Sequence, residues 1–120
     1  MAKIMTVDDS VSLRKLVASA LQAAGHSVSE ADSGQSALSV AQTTSFDLVI
    51  SDLNMPGMDG LTLVGQLRKL PAYRSTPILI LTTEMDPQKK QAAKAAGATG
   101  WLVKPFDPAQ LLATIRKVLD

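Results

Sequence analysis

Short apolar runs alternate along the chain with longer segments in which apolar residues recur at helical spacing, and this pair repeats five times. The short runs predict five strands, at about 4–7, 27–31, 48–51, 78–81 and 101–103. The longer segments predict five helices, at about 11–24, 33–41, 61–67, 87–96 and 108–119. No linker-like stretch interrupts the alternation, so we predict one domain over residues 1–120.

Residues that favour helix ends stand where several of these helices are predicted to begin or stop. Ser33 is an N-cap candidate for the second helix. Asp86 and Asp107, each followed by a proline, are start signals for the fourth and fifth helices. Gly25 and Gly97 follow the first and fourth helices as stop signals.

The order of the elements predicts the fold class. Strands joined through helices run parallel, because a helical crossover returns the chain to the end of the sheet from which it started. The runs 48–50 and 78–81 are apolar throughout, which predicts that helices cover both faces of the sheet. We therefore predict an α/β fold with a doubly wound, five-stranded parallel sheet of flavodoxin-like order 2-1-3-4-5 and five helices. Ligands of such sheets bind beyond the carboxyl ends of the strands, where the strand order reverses.

Composition narrows the class of protein further. The chain has no cysteine, which excludes disulfides and thiolate metal sites. It has no signal-peptide pattern and no apolar stretch near the roughly 20 residues of a membrane span, so we expect a cytoplasmic protein without membrane insertion. The net charge of +1 gives no case for binding nucleic acid. Charge is uneven, however, with seven acidic and three basic side chains in residues 1–60.

Five polar side chains are predicted to lie at strand ends, facing one crevice. They are Asp8 and Asp9 after the first strand, Asp52 after the third, Thr82 at the fourth and Lys104 after the fifth. Any one of them alone would most often cap a helix or be solvated. Together, two carboxylates about 4 Å apart repel by roughly 4 kcal/mol at an effective dielectric constant near 20. An unpartnered cluster would raise its own pKa values or destabilise the fold.

A divalent cation would remove this repulsion. The ligands on offer are oxygens, with no cysteine in the chain and no histidine nearby in sequence, which favours a hard ion such as Mg²⁺ over zinc. Asp9 and Asp52 are the candidate direct ligands, and Asp8 is expected to act mainly through water. Lys104 supplies a cation and Thr82 a hydroxyl donor for a phosphate group. The cluster therefore predicts a magnesium-dependent phosphate site.

Longer motifs surround these residues. Besides the pair Asp8 and Asp9, the chain carries three longer stretches: D-L-N-M-P-G-M-D-G at 52–60, L-T-T-E at 81–84 and G-W-L-V-K-P-F at 100–106. In these stretches the sequence resembles the response-regulator receiver domains of two-component signalling, and within that family the single-domain chemotaxis regulators of the CheY type. The resemblance spans the whole chain, and the motifs together are specific, whereas a pair of aspartates alone would be a weak signal.

The resemblance implies that Asp52 accepts a phosphoryl group from a phosphohistidine of a sensor histidine kinase. It also implies Mg²⁺ held by Asp9, Asp52 and the backbone carbonyl of Asn54, with Asp8 supporting the ion, and a cis peptide bond before Pro105. The protein would then be a signalling phosphoacceptor that promotes its own phosphorylation and dephosphorylation, and not an enzyme with a separate substrate.

The same resemblance implies a switch between two conformations. Thr82 would move toward the phosphoryl group and Trp101 would turn inward, while Asn54 and Glu84 would tune hydrolysis of the phosphoryl group. The face made by the fourth helix, fifth strand and fifth helix would bind a protein target when Asp52 is phosphorylated. The flagellar motor switch is one candidate for that target, and a monomer is expected.

Other functions stay open on the sequence alone. A phosphate sink or relay receiver needs only kinase binding, and the polar start of the fourth helix offers little apolar surface to a motor target. A metal-dependent phosphatase also uses a strand-end aspartate, but usually has a second aspartate two residues later, where this chain has Asn54. A flavin or nucleotide carrier would need a glycine-rich or hydroxyl-rich phosphate loop, which the sequence lacks. DNA binding is not expected, because no output segment follows Asp120.

Overall fold

A computed structural model describes residues 1–119 as alternating strands and helices, so the predicted boundary at Asp120 lies outside the described residues. The five strands are β1 (Lys3–Val7), β2 (Ser27–Ala31), β3 (Leu48–Ser51), β4 (Ile78–Thr82) and β5 (Gly100–Val103). The five α-helices are α1 (Val11–Ala23), α2 (Gly34–Thr43), α3 (Gly60–Lys69), α4 (Pro87–Ala96) and α5 (Pro108–Leu119). A single turn of 3₁₀-helix (Pro71–Tyr73), which the hydrophobic pattern did not predict, precedes β4.

The strands form one parallel sheet in the order β2-β1-β3-β4-β5, which confirms the predicted topology. The strand order reverses between β1 and β3, which lie side by side with Val7 opposite Ser51. Asp52 continues this pairing, since its N–H donates to the carbonyl oxygen of Val7 at 2.9 Å. The carboxyl ends of β1 and β3 therefore present the residues that follow them, Asp8 and Asp52, at the same edge.

Apolar side chains fill a layer on each face of the sheet. One layer joins Met5, Val49 and Ile80 to the inner faces of α2 and α3. The other joins Ile4 and Leu79 to α1 and α5. All residues of β3 and β4 are buried, as their continuous apolar runs predicted. Because burial of each large aliphatic side chain contributes about 1.5–3 kcal/mol, the two central strands are a rigid support for the loops that follow them.

The predicted helix ends are confirmed by hydrogen bonds. Ser33 accepts from the N–H of Ser36 at 3.1 Å, and Asp86 accepts from the N–H of Gln88 at 2.9 Å. Asp107 likewise accepts from a backbone N–H two residues on, at the start of α5. Gly97 ends α4 with a φ of 114°, a left-handed conformation that glycine adopts without steric cost.

Helix length bears on the membrane prediction. The longest helix, α1, has 13 residues, whereas a membrane span needs about 20. Among residues 1–119 there is no helix with both the length and the apolar character needed to cross a bilayer.

Candidate functional site

The loop that follows β3 folds back tightly over the end of the strand. The N–H of Gly60 donates to the carbonyl oxygen of Leu53 at 2.7 Å, and Gly57 in the same loop has a φ of 76°. A Cβ atom at position 60 would collide with the carbonyl oxygen of Asp52 and lie 2.8 Å from the Cα of Leu53. Only glycine fits at this position, and its close approach fixes the backbone that carries Asp52.

Three carboxylates meet at the edge of the sheet, as predicted. Asp8, Asp9 and Asp52 each offer one oxygen, and these three oxygens lie within 4.8 Å of one another. The side chains of Asp8 and Asp52 are only 7% and 12% exposed, whereas Asp9 lies at the solvent-exposed mouth of the site. Two buried like charges at this spacing are screened poorly by water, so the cluster requires a cationic partner.

Lys104 supplies one such partner. Its Nζ lies 2.9 Å from Oδ2 of Asp8 and 3.4 Å from Oδ2 of Asp52, and its side chain is 7% exposed. The backbone N–H of Lys104 donates to the carbonyl oxygen of Thr82 at 2.8 Å, and the peptide bond between Lys104 and Pro105 is cis. The sequence assigned Lys104 to an incoming phosphate, and in the structure its ammonium is held between two carboxylates.

The environment of Asp52 changes its ionisation. Burial raises the pKa of the Asp52 carboxyl above its ordinary value, Lys104 opposes that rise, and the neighbouring charge of Asp8 adds to it. A hydrogen bond from the N–H of Leu53 to Oδ1 at 2.8 Å also favours the ionised form. The net direction means that the ionised carboxylate is less stable here than in water, so further positive charge would be favourable.

The donor set fits a hard divalent cation. Both oxygens of Asp8 already have partners, because Oδ1 accepts from the N–H of Ser10 at 2.9 Å and Oδ2 pairs with Lys104. Asp9 and Oδ2 of Asp52 are less completely engaged, which suits direct ligation by these two and contact through water for Asp8. Oxygen ligands from one or two carboxylates are what Mg²⁺ prefers.

The remaining predicted residues lie around this cluster at different distances from solvent. Thr82 is fully buried at the end of β4, and its hydroxyl oxygen accepts from the N–H of Glu84 at 3.2 Å. The Glu84 carboxylate lies 3.7 Å from Nζ of Lys89, and Asn54 is exposed. The structure thus connects Glu84 to Thr82 directly, while Asn54 borders solvent.

Trp101 belongs to a different surface. It is half-buried on β5, opposite Ile80 of β4, and lines a pocket of about 400 Å³ between α4 and β5 together with Pro87, Lys90 and Lys94. The carboxylates do not line this pocket. Trp101 therefore lies beside α4, in a pocket that does not include Asp8, Asp9 or Asp52.

A larger pocket, of about 750 Å³, opens at the other end of the sheet. It is lined by His26, Asp47, Arg116 and neighbouring apolar residues, and by none of the predicted site residues. His26 accepts a hydrogen bond there from the N–H of Ala2 at 3.1 Å, a tertiary contact that the sequence did not indicate. This pocket is therefore separate from the cluster of Asp8, Asp9 and Asp52.

The sequence analysis did not predict a role for two charged residues next to the acidic loop, which is the loop after β1 that carries Asp8 and Asp9. Arg14 of α1 donates to the backbone carbonyl of Asp8, and it forms an ion pair with Glu30 of β2. Sequence separation hides these contacts, because Glu30 lies 16 residues after Arg14. The one signal in the sequence was Glu30 itself, a charged residue on the partly buried strand β2, which indicates that a cationic partner lies nearby.

Comparisons with known proteins agree with this geometry. The family model for the response regulator receiver domain matches residues 4–116. The chemotaxis protein CheY-3 of Vibrio cholerae is 35% identical over 98% of this chain and 92% of its own length. The crystallised chemotaxis protein CheY4 of the same species is 53% identical, with a TM-score of 0.95 over 98% of both chains. The response regulator FleR of Pseudomonas aeruginosa is 38% identical over 97% of this chain, which spans only 24% of FleR. With its sheet order, its strand-end acidic cluster and these likenesses, the chain belongs to the response regulator receiver domain family.

Proposed function

We propose that Asp52 accepts a phosphoryl group from the phosphohistidine of a sensor histidine kinase. The observation that supports this most strongly is the convergence of three carboxylates and Lys104 within one crevice at the reversal of strand order. An Asp52 oxygen attacks phosphorus, the O–P bond forms as the N–P bond of the donor breaks, and the imidazole leaves with the electron pair. The carboxylate is already a nucleophile, so the protein has mainly to position and neutralise charge.

Lys104 and Thr82 have complementary tasks in this proposal. The Lys104 ammonium, now 3.4 Å from Oδ2 of Asp52, binds the oxygens of the incoming phosphoryl group. The Thr82 hydroxyl, buried on the neighbouring strand β4, donates to one of them after a rotation of its side chain. Asn54 and Glu84 border the phosphorylated position and influence the access of hydrolytic water.

Magnesium is the cofactor that this donor set suits. Asp9, Asp52 and the backbone carbonyl of Asn54 are the proposed direct ligands, and Asp8 is proposed to support the ion through water while it holds Lys104. When bound, Mg²⁺ neutralises negative charge on the transferred phosphoryl group. The protein's own contribution is to keep the carboxylates close together and largely buried.

The proposed output is a chemotaxis signal carried by a phosphorylation-dependent protein target. Its support is the likeness to two Vibrio cholerae chemotaxis proteins over nearly the whole chain. The face formed by α4, β5 and α5 is the proposed binding surface, because α4 buries only Ala93 and is the helix least tied to the core. Thr82 and Trp101 would couple phosphorylation to this face, and the flagellar motor switch is a candidate target. A cytoplasmic location, action as a monomer and a receiver unit of residues 1–120 belong to the same proposal.

Intact-mass measurement after incubation with a small phosphodonor and Mg²⁺ tests the central step. We expect one added phosphoryl mass on the parent protein and none on Asp52→Asn, which keeps the shape of the side chain but removes its charge. Asp47→Asn is the matched control, because Asp47 is exposed at the opposite end of the sheet. Equal labelling of the parent and Asp52→Asn would refute the proposal. Release of more than one phosphate per protein from a phosphomonoester would instead indicate a phosphatase.

A further inference from the structure

One arginine links the acidic loop to the neighbouring strand. Arg14 lies in the first turn of α1, and its side chain is only 11% exposed. Its Nη1 donates to the backbone carbonyl oxygen of Asp8 at 2.7 Å, and its Nε donates to Oε1 of Glu30 at 2.9 Å. The planar guanidinium therefore bridges the loop after β1 and a carboxylate on β2.

The accepting carbonyl has a special place in the site. It belongs to the peptide group that joins Asp8 to Asp9, so its hydrogen bond with Arg14 fixes the plane of that peptide. The orientation of this plane sets the directions in which the two carboxylates leave the backbone. A hydrogen bond from a charged donor is stronger than one between neutral groups, and the fork of the guanidinium restricts its angle.

Glu30 and its neighbours hold the arginine in turn. Lys15 contacts the second oxygen of the Glu30 carboxylate at 3.0 Å, so this carboxylate has two cationic partners. The hydrogen bond from Lys15 is the largest cause of a lowered pKa of Glu30, and Arg14 lowers the pKa further, so the carboxylate stays ionised. The loop is also tied to β2 by the N–H of Asp8, which donates to the carbonyl oxygen of Ala31 at 3.1 Å.

We infer that Arg14, oriented by Glu30, is a positioning residue that fixes the Asp8–Asp9 peptide so that the acidic cluster is preorganised for Mg²⁺. The inference rests on the proposed function, since it concerns the same metal site. Removal of a group that orients a metal ligand without touching the metal typically weakens metal affinity by about 10- to 100-fold. In this loop Arg14 contacts the backbone carbonyl of Asp8 and not the side-chain oxygens of Asp8, Asp9 or Asp52, so we assign its effect to the peptide.

Charge alone predicts the opposite result, which makes the inference testable. Arg14 is a cation close to a site for a divalent cation, so its charge repels Mg²⁺. If only that charge mattered, removing it would tighten Mg²⁺ binding. If Arg14 positions the loop, its removal weakens Mg²⁺ binding although a repulsive charge has been lost. The sign of the change in the dissociation constant separates the two effects.

The test measures the Mg²⁺ dissociation constant by isothermal titration calorimetry, without a phosphodonor, in the full chain. Arg14→Met keeps the aliphatic stem and removes the fork and the charge, and we expect it to weaken binding about 10-fold. Arg14→Lys keeps the charge but not the two-acceptor fork, and we expect an intermediate loss. Lys15→Met is the control, because it also removes a cation from Glu30 but leaves the contact with Asp8 intact. It should change the constant less than twofold.

A coupling measurement shows whether Glu30 acts through the arginine. Glu30→Gln should weaken Mg²⁺ binding, and combining it with Arg14→Met should add little, since both substitutions release the same peptide group. Full additivity of the two losses would refute the assigned role of Glu30.

The outcomes also separate this inference from the proposed function. Binding by Arg14→Met that is as tight as in the parent, or tighter, overturns the positioning role while leaving phosphorylation of Asp52 untouched. A parent protein that takes up neither Mg²⁺ nor a phosphoryl group overturns the proposed function itself. Melting temperatures without metal are measured for each variant, so that a loss of affinity is read only from folded protein.

Discussion

Replacement of Asp52 by asparagine should make the metal-free protein more stable. The substitution keeps the size of the side chain but removes one of three clustered negative charges. Burial raises the pKa of Asp52 in the folded state above its unfolded value, so near pH 7 the ionised form destabilises the fold. This cost falls as pH falls through the folded-state pKa, because the protonated carboxyl is neutral. The advantage of the variant should therefore shrink in acid.

The magnitude follows from the spacing of the charges. At 4.8 Å, one pair of carboxylates repels by about 0.9 kcal/mol at the dielectric constant of water and by about 3.5 kcal/mol at an effective value of 20. Asp8 and Asp9 both repel Asp52, whereas Lys104 at 3.4 Å attracts it and offsets roughly one of these repulsions. We expect a net gain of about 1–2 kcal/mol for Asp52→Asn, or roughly 4 °C in melting temperature per kcal/mol.

Magnesium should reverse this order of stability. At 100 times its dissociation constant, a ligand that binds only the folded state adds about 2.7 kcal/mol. The parent should gain this amount, and Asp52→Asn, which lacks a proposed ligand, should gain much less. Urea denaturation at neutral pH, with EDTA and then with Mg²⁺, measures both effects, and Asp47→Asn should follow the parent in each. A variant less stable than the parent in EDTA, or an equal gain from Mg²⁺ in both proteins, would refute the reasoning.

Three further predictions test other contacts. Lys104→Met should destabilise the metal-free protein by about 3 kcal/mol, because it leaves two largely buried carboxylates without their cation; an unchanged urea midpoint would count against this pairing. Gly60→Ala should lower the free energy of unfolding by at least about 1–3 kcal/mol, because the new Cβ collides with the Asp52 carbonyl. Gly65→Ala is the control, at a helical position with open space around it, and it should raise the free energy of unfolding by up to about 1 kcal/mol. Similar stabilities for the two alanine variants would contradict the close approach at position 60. Glu30→Gln should lower the free energy of unfolding by about 0.5–1 kcal/mol at neutral pH. This difference should vanish as pH falls through the lowered pKa of Glu30, because the protonated parent then also lacks the charge. A difference in stability that grows in acid would contradict the prediction.

The sequence predicted the elements of this fold well because their signals are local. The apolar runs of β3 and β4 mark strands covered on both faces, and the parallel order then follows from the helical connections. The convergence of Asp8, Asp52 and Lys104 also followed, since the carboxyl ends of parallel strands meet at one edge. The motifs around them, through their family resemblance, added the roles that spacing alone leaves open.

Contacts between distant side chains were beyond that reasoning. The pairing of Lys104 with Asp8 joins residues 96 positions apart, and no periodicity indicates that this distance, 2.9 Å, is shorter than the distance to Asp52. The bridge from Arg14 to Glu30 depends on the rotamers of two long side chains, which the hydrophobic pattern does not determine. Backbone topology is thus set by pattern, whereas the fine arrangement of charge is set by packing.

The charge of the cluster limits how many cations it suits. Three carboxylates and the ammonium of Lys104 together carry a net charge of −2, which one divalent cation balances. A second divalent cation would leave an excess of two positive charges in a largely buried crevice, and two-metal hydrolytic sites place their ions only about 3.5–4 Å apart. In the proposed function, conversion of the Asp52 carboxylate to an acyl phosphate would add about one negative charge beside the Lys104 ammonium, which lies 3.4 Å from Oδ2 of Asp52. The charge balance therefore favours a single divalent cation over a pair of metal ions in this crevice.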